Sequence, residues 1–382
     1  MAEETPIALP DAVPGFPHPS ETKQLFGQAD AEQRFLEAWQ QDRLHHAWLL
    51  RGPYGVGKAT LAYRIARALI ATDPAAGDGL FGDSEPITPN SLDRPADCPV
   101  AARISAGSEP RLFVLRRSAN PNTGRMRGQI AIDDVRRLRE FLGLSAADGG
   151  WRVIIVDSAD EMNRNSANAL LKFLEEPPAL SMFLLVSHAP ASLLPTIRSR
   201  CRTLDLPPLS PEDHAWALEA AGTETTSDTA TTLSQLAAGS VGQALRLAAA
   251  DGADLYRQIV KLIGNGDRVD RTALPSFAES CAARGQTDRF EMAVDLTQTL
   301  LARLARAAAT GQMPPEAAPG EHALMQAVSS SQHAAHQWAD TLATISATTR
   351  HAKAVNLDPG QTIVDMFLEL DSTLGRIRRA AA

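Results

Sequence analysis

The sequence contains few cysteines and no long apolar run. Its 382 residues include only three cysteines, Cys98, Cys201 and Cys281, which lie far apart and form no repeated pairing pattern. This spacing argues against a disulfide scaffold and is typical of a protein from a reducing compartment. No apolar stretch approaches the roughly 18 residues that a membrane-spanning helix requires, so no contact with a membrane is predicted.

The sequence also lacks a secretion signal and a surplus of positive charge. Residues 1–20 are acidic and rich in proline, without the basic and apolar stretches of a signal peptide. We therefore expect a flexible tail over residues 1–20 and a cytoplasmic location. The formal net charge is −8, whereas autonomous DNA-binding proteins usually carry a basic surplus. Any contact with nucleic acid should come from partner proteins or from a local patch.

One candidate for such a patch is a run rich in arginine. Eight arginines lie between Arg111 and Arg139. A basic loop facing DNA phosphates is one interpretation. A solvated surface is the simpler one, and the sequence leaves the choice open.

Short apolar segments alternate with helical patterns over the first two-thirds of the chain. This alternation predicts an α/β domain with a parallel sheet flanked by helices. Segments 152–156 and 182–186 are almost continuously apolar, as strands buried on both faces are. The predicted strands are Ala47–Leu50, Leu112–Arg116, Arg152–Val156, Met182–Val186 and Arg202–Leu206. The predicted helices between them are Glu32–Gln40, Lys58–Ile70, Ile132–Leu142 and Ser166–Glu175.

The strand pattern stops after Pro207-Pro208. Short helical segments follow, and from about residue 253 long segments such as Phe290–Ala307 and Thr362–Arg376 carry apolar residues at helical spacing. We therefore predict an α/β nucleotide-binding-like domain over 21–207, a small helical domain over 208–252 and an all-helical domain over 253–382.

A phosphate-binding loop is predicted between the first strand and the next helix. Residues 52–60 read Gly-Pro-Tyr-Gly-Val-Gly-Lys-Ala-Thr. In this strand-to-helix context the glycines let backbone N–H groups surround a phosphate, and the lysine reaches the terminal phosphates. The candidate nucleotide-binding residues of the loop are Gly52, Gly55, Gly57, Lys58 and Thr60.

One position of the loop departs from the motif. The residue after Lys58 is normally Ser or Thr, whose hydroxyl coordinates Mg²⁺, but here it is Ala59. Thr60 lies about 100° further round a helix, so its hydroxyl should point elsewhere. Nucleotide could still be bound, although the metal would lose a ligand.

An acidic residue ends the third predicted strand. Asp157 follows the apolar run 153–156, where P-loop NTPases keep the aspartate associated with Mg²⁺. The next residue, Ser158, cannot act as a base near neutral pH. Asp157 completes the predicted nucleotide-binding set, and two groups that hydrolysis needs are missing.

Two further segments carry a resemblance to a known family. Residues 168–178 read Asn-Ala-Leu-Leu-Lys-Phe-Leu-Glu-Glu-Pro-Pro, and residues 196–201 read Thr-Ile-Arg-Ser-Arg-Cys. Together with the phosphate loop they resemble the clamp-loader branch of AAA+ proteins. The resemblance implies an AAA+ P-loop domain, followed by a lid over 208–252 and an oligomerisation collar over 253–382. It also implies that Arg200 is an arginine finger that acts on a neighbouring subunit.

Within that branch the chain resembles the delta-prime subunits of bacterial DNA polymerase III. Ser158 stands where hydrolysing subunits carry a glutamate, and Gly242 stands where motor subunits carry an arginine. The resemblance implies a component of a DNA-directed DNA polymerase holoenzyme without ATPase activity of its own, in which ATP binding is weak or vestigial. The implied direct partners are gamma/tau motor subunits and the clamp-opening delta subunit, and the sliding clamp and primed DNA are contacted indirectly.

Zinc is not expected. Relatives of this kind often hold Zn²⁺ with four cysteines between the phosphate loop and the acidic strand, but here that interval contains only Cys98. A structural zinc site needs about four nitrogen or sulfur ligands.

Two other functions remain open at this point. One is an autonomous AAA+ ATPase, either a gamma/tau-like motor or a branch-migration helicase, which would turn over ATP by itself. The other is a nucleotide-binding regulatory adaptor unconnected with replication.

Overall fold

The computed structural model describes residues 12–72, 90–95, 97–120, 124, 126–143, 150–223, 226–264, 266–283, 287–329 and 331–381. The predicted tail, the loop after α2 (Lys58–Ala71) and the arginine-rich run lie partly outside these residues. Within the described residues, no helix is both long enough and apolar enough to span a bilayer.

The chain divides into two compact units. The first comprises Met1–Gly222 with Gly239–Gln243, and the second comprises Thr223–Ala238 with Ala244–Ala382. The predicted three-domain division is not tested by this partition and stays a prediction.

The first unit is built on a five-stranded parallel sheet. Its spatial order is β2-β3-β4-β1-β5, and every pairing is parallel. The strands are β1 (Ala47–Arg51), β2 (Leu112–Leu115), β3 (Arg152–Val156), β4 (Ser181–Ser187) and β5 (Arg202–Asp205). The sequence prediction of a parallel α/β domain is therefore confirmed.

Helices cover both faces of this sheet, because alternate strand residues enter two different apolar cores. Trp48, Leu50 and Leu184 pack with one group of helices, while Leu49 and Leu185 pack with the other. The helices of the first unit are α1 (Ala29–Gln40), α2 (Lys58–Ala71), α3 (Pro99–Ser105), α4 (Ile132–Gly143), α5 (Arg164–Glu175), α6 (Pro195–Arg198) and α7 (Pro211–Ala220).

The ends of α5 show how local sequence positions the site. The Asn163 side chain accepts a hydrogen bond from the Ser166 N–H at 2.9 Å and caps the first turn. Pro177 and Pro178 follow the last turn and cannot continue the helix. Leu174 is buried, so the end of α5 is fixed against the core.

The described residues of the second unit form helices and the loops between them, and its core contains a buried polar cluster around Glu321. The Glu321 carboxylate has no exposed surface, and it accepts hydrogen bonds from the Tyr256 hydroxyl at 2.7 Å and Arg303 Nε at 2.6 Å. The helices are α8 (Ser227–Ala237), α9 (Val241–Ala249, which begins in the first unit), α10 (Gly252–Ile263), α11 (Leu274–Ala282), α12 (Thr287–Thr310), α13 (Glu321–Val328), α14 (Gln332–Ala354) and α15 (Pro359–Ala381).

Candidate functional site

The carboxyl ends of the central strands bring most of the predicted site together. The phosphate loop follows β1, Asp157 follows β3, and His188 follows β4, which lies between β3 and β1. Parallel strands end at the same edge of a sheet, so these segments meet there. The predicted set of Gly52, Gly55, Gly57, Lys58, Thr60 and Asp157 is thus gathered at one edge.

Lys58 folds back onto its own loop. Gly57 adopts φ = 99° and begins α2, a left-handed conformation that favours glycine. The Lys58 Nζ group donates to the Gly52 carbonyl at 2.7 Å and also to the Pro53 carbonyl, and the residue is only 3% exposed. Burial lowers the pKa of Lys58 from its ordinary 10.5 to about 8, against the opposing effect of the Asp157 and Asp160 carboxylates.

The positions that should serve the metal and the attacking water lack the usual groups. Ala59 and Thr60 both lie half-buried in the first turn of α2, and Ala59 has no hydroxyl. Asp157 is buried, and the Ser158 hydroxyl donates to Asp157 Oδ1 at 3.4 Å. The edge therefore carries the glycine loop, Lys58 and the Asp157 and Asp160 carboxylates, with a serine at position 158.

His188 is part of this edge, and the sequence interpretation did not include it. Its Nε2 atom lies 2.7 Å from the Ser158 hydroxyl oxygen, and its backbone N–H donates to Asp160 Oδ1 at 2.9 Å. Its ring stacks obliquely on Tyr54, with centroids 4.9 Å apart. Burial and then the charge of Lys58 lower the pKa of His188 to about 4, against the opposing effect of Asp160, so the ring is neutral near pH 7.

The segment Gly239–Gln243 lies directly against the phosphate loop. The Gly242 N–H donates to the Gly55 carbonyl at 2.9 Å, and the Ser240 hydroxyl donates to the Tyr54 carbonyl at 2.8 Å. A Cβ atom on Gly242 would lie 2.8 Å from the Gly55 Cα atom, closer than real Cβ contacts. Gly242, where the resemblance places an arginine in motor subunits, therefore has no room for a side chain in this packing.

A cavity of about 970 Å³ adjoins the loop. Its lining includes Gly52, Pro53, His188 and Gln28. Gln28 is 2% exposed, and its amide donates to the Val56 carbonyl at 3.1 Å and the Pro207 carbonyl at 2.8 Å. Ligand pockets commonly measure roughly 300–1,000 Å³, so the space next to the loop suits a nucleotide-sized molecule.

Arg200 lies at the other edge of the sheet. It occupies the turn between α6 and β5, before β5 begins, whereas the phosphate loop follows the end of β1. Arg202 is level with Trp48, and Asp205 is level with Arg51. Strands rise about 3.3 Å per residue, so at least ~10 Å of sheet separates the two edges. The structure therefore keeps Arg200 apart from the other predicted site residues.

Arg200 makes two polar contacts within its own chain, and the thiol of the next residue, Cys201, is largely buried. Its Nη2 atom lies 2.8 Å from Glu175 Oε1, and its Nη1 atom donates to the Thr196 carbonyl at 3.0 Å. Burial raises the pKa of the neighbouring Cys201 thiol to about 12, so this cysteine is not a reactive thiolate near neutral pH.

Four of the arginines between Arg111 and Arg139 are held by carboxylates of the same chain. Arg111 pairs with Glu109, Arg117 with Glu161, Arg136 with Asp133 and Arg137 with Asp134. Arg125 lies outside the described residues. Pairing within the chain reduces the charge available to DNA phosphates, which favours the solvated-surface interpretation for these four.

The metal prediction is not decided by the side chains. Among the described residues, no group of three or more His, Cys, Asp and Glu side chains is placed to hold a metal ion. The expected lack of zinc stays a prediction.

Comparison with known proteins gives consistent matches. The family described as "DNA polymerase III, delta subunit" matches residues 27–210. The chain is 40% identical over 156 residues to DNA polymerase III subunit delta' of Pseudomonas aeruginosa, covering 41% of each chain. It is 33% identical over 215 residues to the Escherichia coli subunit delta', covering 56% of this chain and 58% of that one. The chain thus spans about half the length of the relatives that it matches.

A subunit named gamma and a solved structure are also similar to the chain. It is 29% identical over 195 residues to DNA polymerase III subunit gamma of Buchnera aphidicola, covering 51% of this chain and 47% of that one. A gamma subunit-related protein of Thermotoga maritima aligns at 16% identity with a TM-score of 0.42, covering 89% of this chain and 99% of that one.

The resemblance predicted from the sequence is confirmed by the delta' matches, which are 40% and 33% identical to the chain, compared with 29% for the gamma match. The family match over residues 27–210 and the subunit delta' relatives support a delta-prime clamp-loader subunit as the protein that this chain resembles.

Proposed function

We propose that this chain helps to load a sliding clamp onto primed DNA, as a delta-prime-like subunit that supplies Arg200 to a neighbouring ATPase subunit. The observation that carries the proposal is the separation of two features. The chain's own phosphate loop has Ala59 and Ser158 in place of the Mg²⁺ ligand and the base, while Arg200 stands at the opposite edge of the sheet.

This separation favours action on another subunit. A fully extended arginine side chain reaches roughly 7 Å, and strand geometry puts at least ~10 Å between the Arg200 edge and the loop edge. Arg200 therefore cannot serve the loop of its own chain. A head-to-tail contact would instead bring the Arg200 edge of one subunit against the loop edge of the next.

The chemistry expected of Arg200 is electrostatic. Phosphoryl transfer spreads negative charge over the oxygens of the transferred group and the leaving oxygen, and that charge must be stabilised. A guanidinium offers a planar fork of N–H donors to such oxygens, which a single ammonium group cannot reproduce. The side chain is 36% exposed, so part of this fork is accessible to a partner.

Nucleotide binding by this chain is proposed to be weak or vestigial. The glycine loop would surround the phosphates of a nucleoside triphosphate, with Lys58 at those phosphates and Asp157 near any bound metal, and the cavity beside Gly52 and Pro53 leaves space next to the loop. Because Ala59 supplies no hydroxyl, Mg²⁺ should add little to affinity. The chain is proposed to lack ATPase activity of its own and to act as a component of the polymerase holoenzyme.

The proposed partners follow from the relatives. They are gamma/tau-type motor subunits, the clamp-opening delta subunit and, through these, the sliding clamp and primed DNA. The rival function, an autonomous AAA+ ATPase, needs turnover by the isolated chain, so the two proposals give opposite results in one assay.

The experiment has two parts. The isolated chain should hydrolyse ATP negligibly, and Lys58→Ala should not change that rate. Reconstitution with purified motor and delta subunits should then load clamps on primed DNA only when this chain is included. Turnover that depends on Lys58, or clamp loading that proceeds without the chain, would contradict the proposal.

A further inference from the structure

The guanidinium of Arg200 is oriented by two contacts within its own chain. Nη2 pairs with the Glu175 carboxylate at 2.8 Å, and Nη1 donates to the Thr196 carbonyl at 3.0 Å. Arginine has five N–H donors in a fixed fork. Within the part of the chain that the structure describes, these two contacts use two of the five donors and orient the group, which leaves three donors for an incoming anion.

Glu175 and Arg200 are brought together by the ends of two helices, α5 and α6. Glu175 is the last residue of α5, next to the buried Leu174, and Arg200 follows α6, which is anchored by the buried Ile197. The helix ends are therefore fixed by apolar contacts, whereas the polar tips stay accessible: the Glu175 side chain is 49% exposed and that of Arg200 is 36% exposed.

The exposure of the Arg200–Glu175 ion pair argues against a purely stabilising role for it. Exposed ion pairs contribute little to folding, because water screens them and both side chains lose rotational freedom. Orientation of a long side chain is a different effect. An arginine that waits at an interface loses less freedom on engaging phosphate oxygens if its fork is already held at the required angle.

We propose that Glu175 is a positioning residue for Arg200, an inference that rests on the proposed function. Its carboxylate holds Nη2 so that the remaining N–H groups face the neighbouring subunit's nucleotide. Glu175 itself does not touch the reacting phosphate, since its charge would be repelled. It acts only through Arg200.

The test compares Glu175→Ala with Glu176→Ala in the reconstituted clamp loader. Glu176 is an adjacent exposed carboxylate and serves as the matched control. Glu175→Ala should lower kcat for ATP and the clamp-loading rate by about 2- to 5-fold, the scale of losing an exposed ion pair, while KM for ATP stays unchanged. Glu175→Gln keeps an acceptor oxygen at the same place and should recover part of the loss.

A double-variant cycle separates positioning from a general structural role. In an Arg200→Ala background, Glu175→Ala should have no further effect, because the group that it orients is gone. An equal loss in both backgrounds, or a loss no larger than that of Glu176→Ala, would overturn the inference and leave the function of Arg200 standing. If Arg200→Ala alone changes nothing, the proposed function fails together with the inference. Size-exclusion chromatography and circular dichroism establish that each variant folds and assembles.

Discussion

The phosphate loop and the Arg200 turn are opposite in character, although both belong to the same sheet. The loop is enclosed by its own chain: Lys58 bonds to loop carbonyls, and Gly242 packs on Gly55. Arg200 is half-exposed and held only at one side, by Glu175 and Thr196.

Hydrolysis requires both catalytic groups beside the phosphate loop and an arginine that reaches the nucleotide. The two edges of this chain differ in which of these groups they carry. The loop has the glycines and the lysine of the predicted phosphate-binding motif, but Ala59 and Ser158 stand where the motif predicts the Mg²⁺ ligand and the base. The Arg200 turn carries the group that, under the proposed function, a second subunit would use. A substitution at one edge of the sheet should therefore leave the other edge undisturbed, because the length of the strands separates Arg200 from the loop.

The largest effect is expected at the exposed edge. Arg200→Ala should lower hydrolysis at the one site that it faces by roughly 10³- to 10⁵-fold, the range for an arginine supplied in trans. Total ATP turnover of the reconstituted complex should fall partially, and clamp loading should fall more. Both are measured with primed DNA and clamp present.

Arg198→Ala is the matched control, since Arg198 is an exposed arginine in the last turn of α6, two residues away. It should leave turnover and loading near the wild-type values. If Arg200→Ala complexes assemble normally and load clamps at the wild-type rate, the contrast between the two edges has no functional meaning.

The burial of Lys58 in the phosphate loop should be detectable in the titration of its ammonium group. Its pKa of about 8 lies below the ordinary 10.5, so the unfolded chain binds more protons than the folded chain between these values. The free energy of unfolding should therefore rise with pH across that window. Lysine-selective ¹³C NMR is practical because the chain has only five lysines, Lys23, Lys58, Lys172, Lys261 and Lys353.

The Lys58 resonance is assigned by its loss in Lys58→Arg. One lysine Cε resonance should titrate near pH 8 and disappear in that variant. Titration of all five lysines together above pH 10 would mean that the ammonium group of Lys58 is solvated and the loop is open.

A smaller effect tests the close approach of Gly242 to the loop. Gly242→Ala places a Cβ atom 2.8 Å from the Gly55 Cα atom, so one backbone must move. Overpacking of this kind costs about 1–3 kcal/mol, which should lower the denaturant midpoint of the first unit and increase hydrogen exchange in the phosphate loop.

Gly128→Ala is the control, because nothing lies within 4 Å of its Cβ position and it belongs to the same unit. It should change the free energy of unfolding by less than about 0.5 kcal/mol. Equal midpoints for the two variants would show that the segment Gly239–Gln243 is not fixed on the loop.

Much of the first unit could be predicted from the sequence. Buried parallel strands are continuous apolar runs, so β3 was predicted with its observed ends, and β1 and β4 to within one residue at each end. The phosphate loop and Asp157 could be located because each motif is defined by its position directly after a predicted strand. The end of α5 followed from Pro177, since proline stops a helix.

Contacts between distant segments could not be predicted in the same way. The sequence shows that His188 follows an apolar strand, and a polar residue there was the available signal, but its pairing with Ser158 depends on the strand order β3-β4-β1. The Gln28 amide donates to the Val56 carbonyl, 28 positions away in sequence, and to the Pro207 carbonyl, 179 positions away. Likewise α3 was missed, because a seven-residue helix carries too few turns for a periodic pattern.

The opposite placement of the loop and Arg200 affects how many working ATPase sites an assembly can contain. Each complete motor subunit would be both a donor of an arginine and an acceptor of one. If Arg200 acts as proposed, a chain of this kind donates an arginine without accepting one, since its loop lacks the groups that would use a donated arginine. In any row of subunits in which every member but this one hydrolyses, the number of working sites is therefore smaller than the number of subunits by at least one. The row would also acquire a direction, with this chain at the end from which the first arginine is donated.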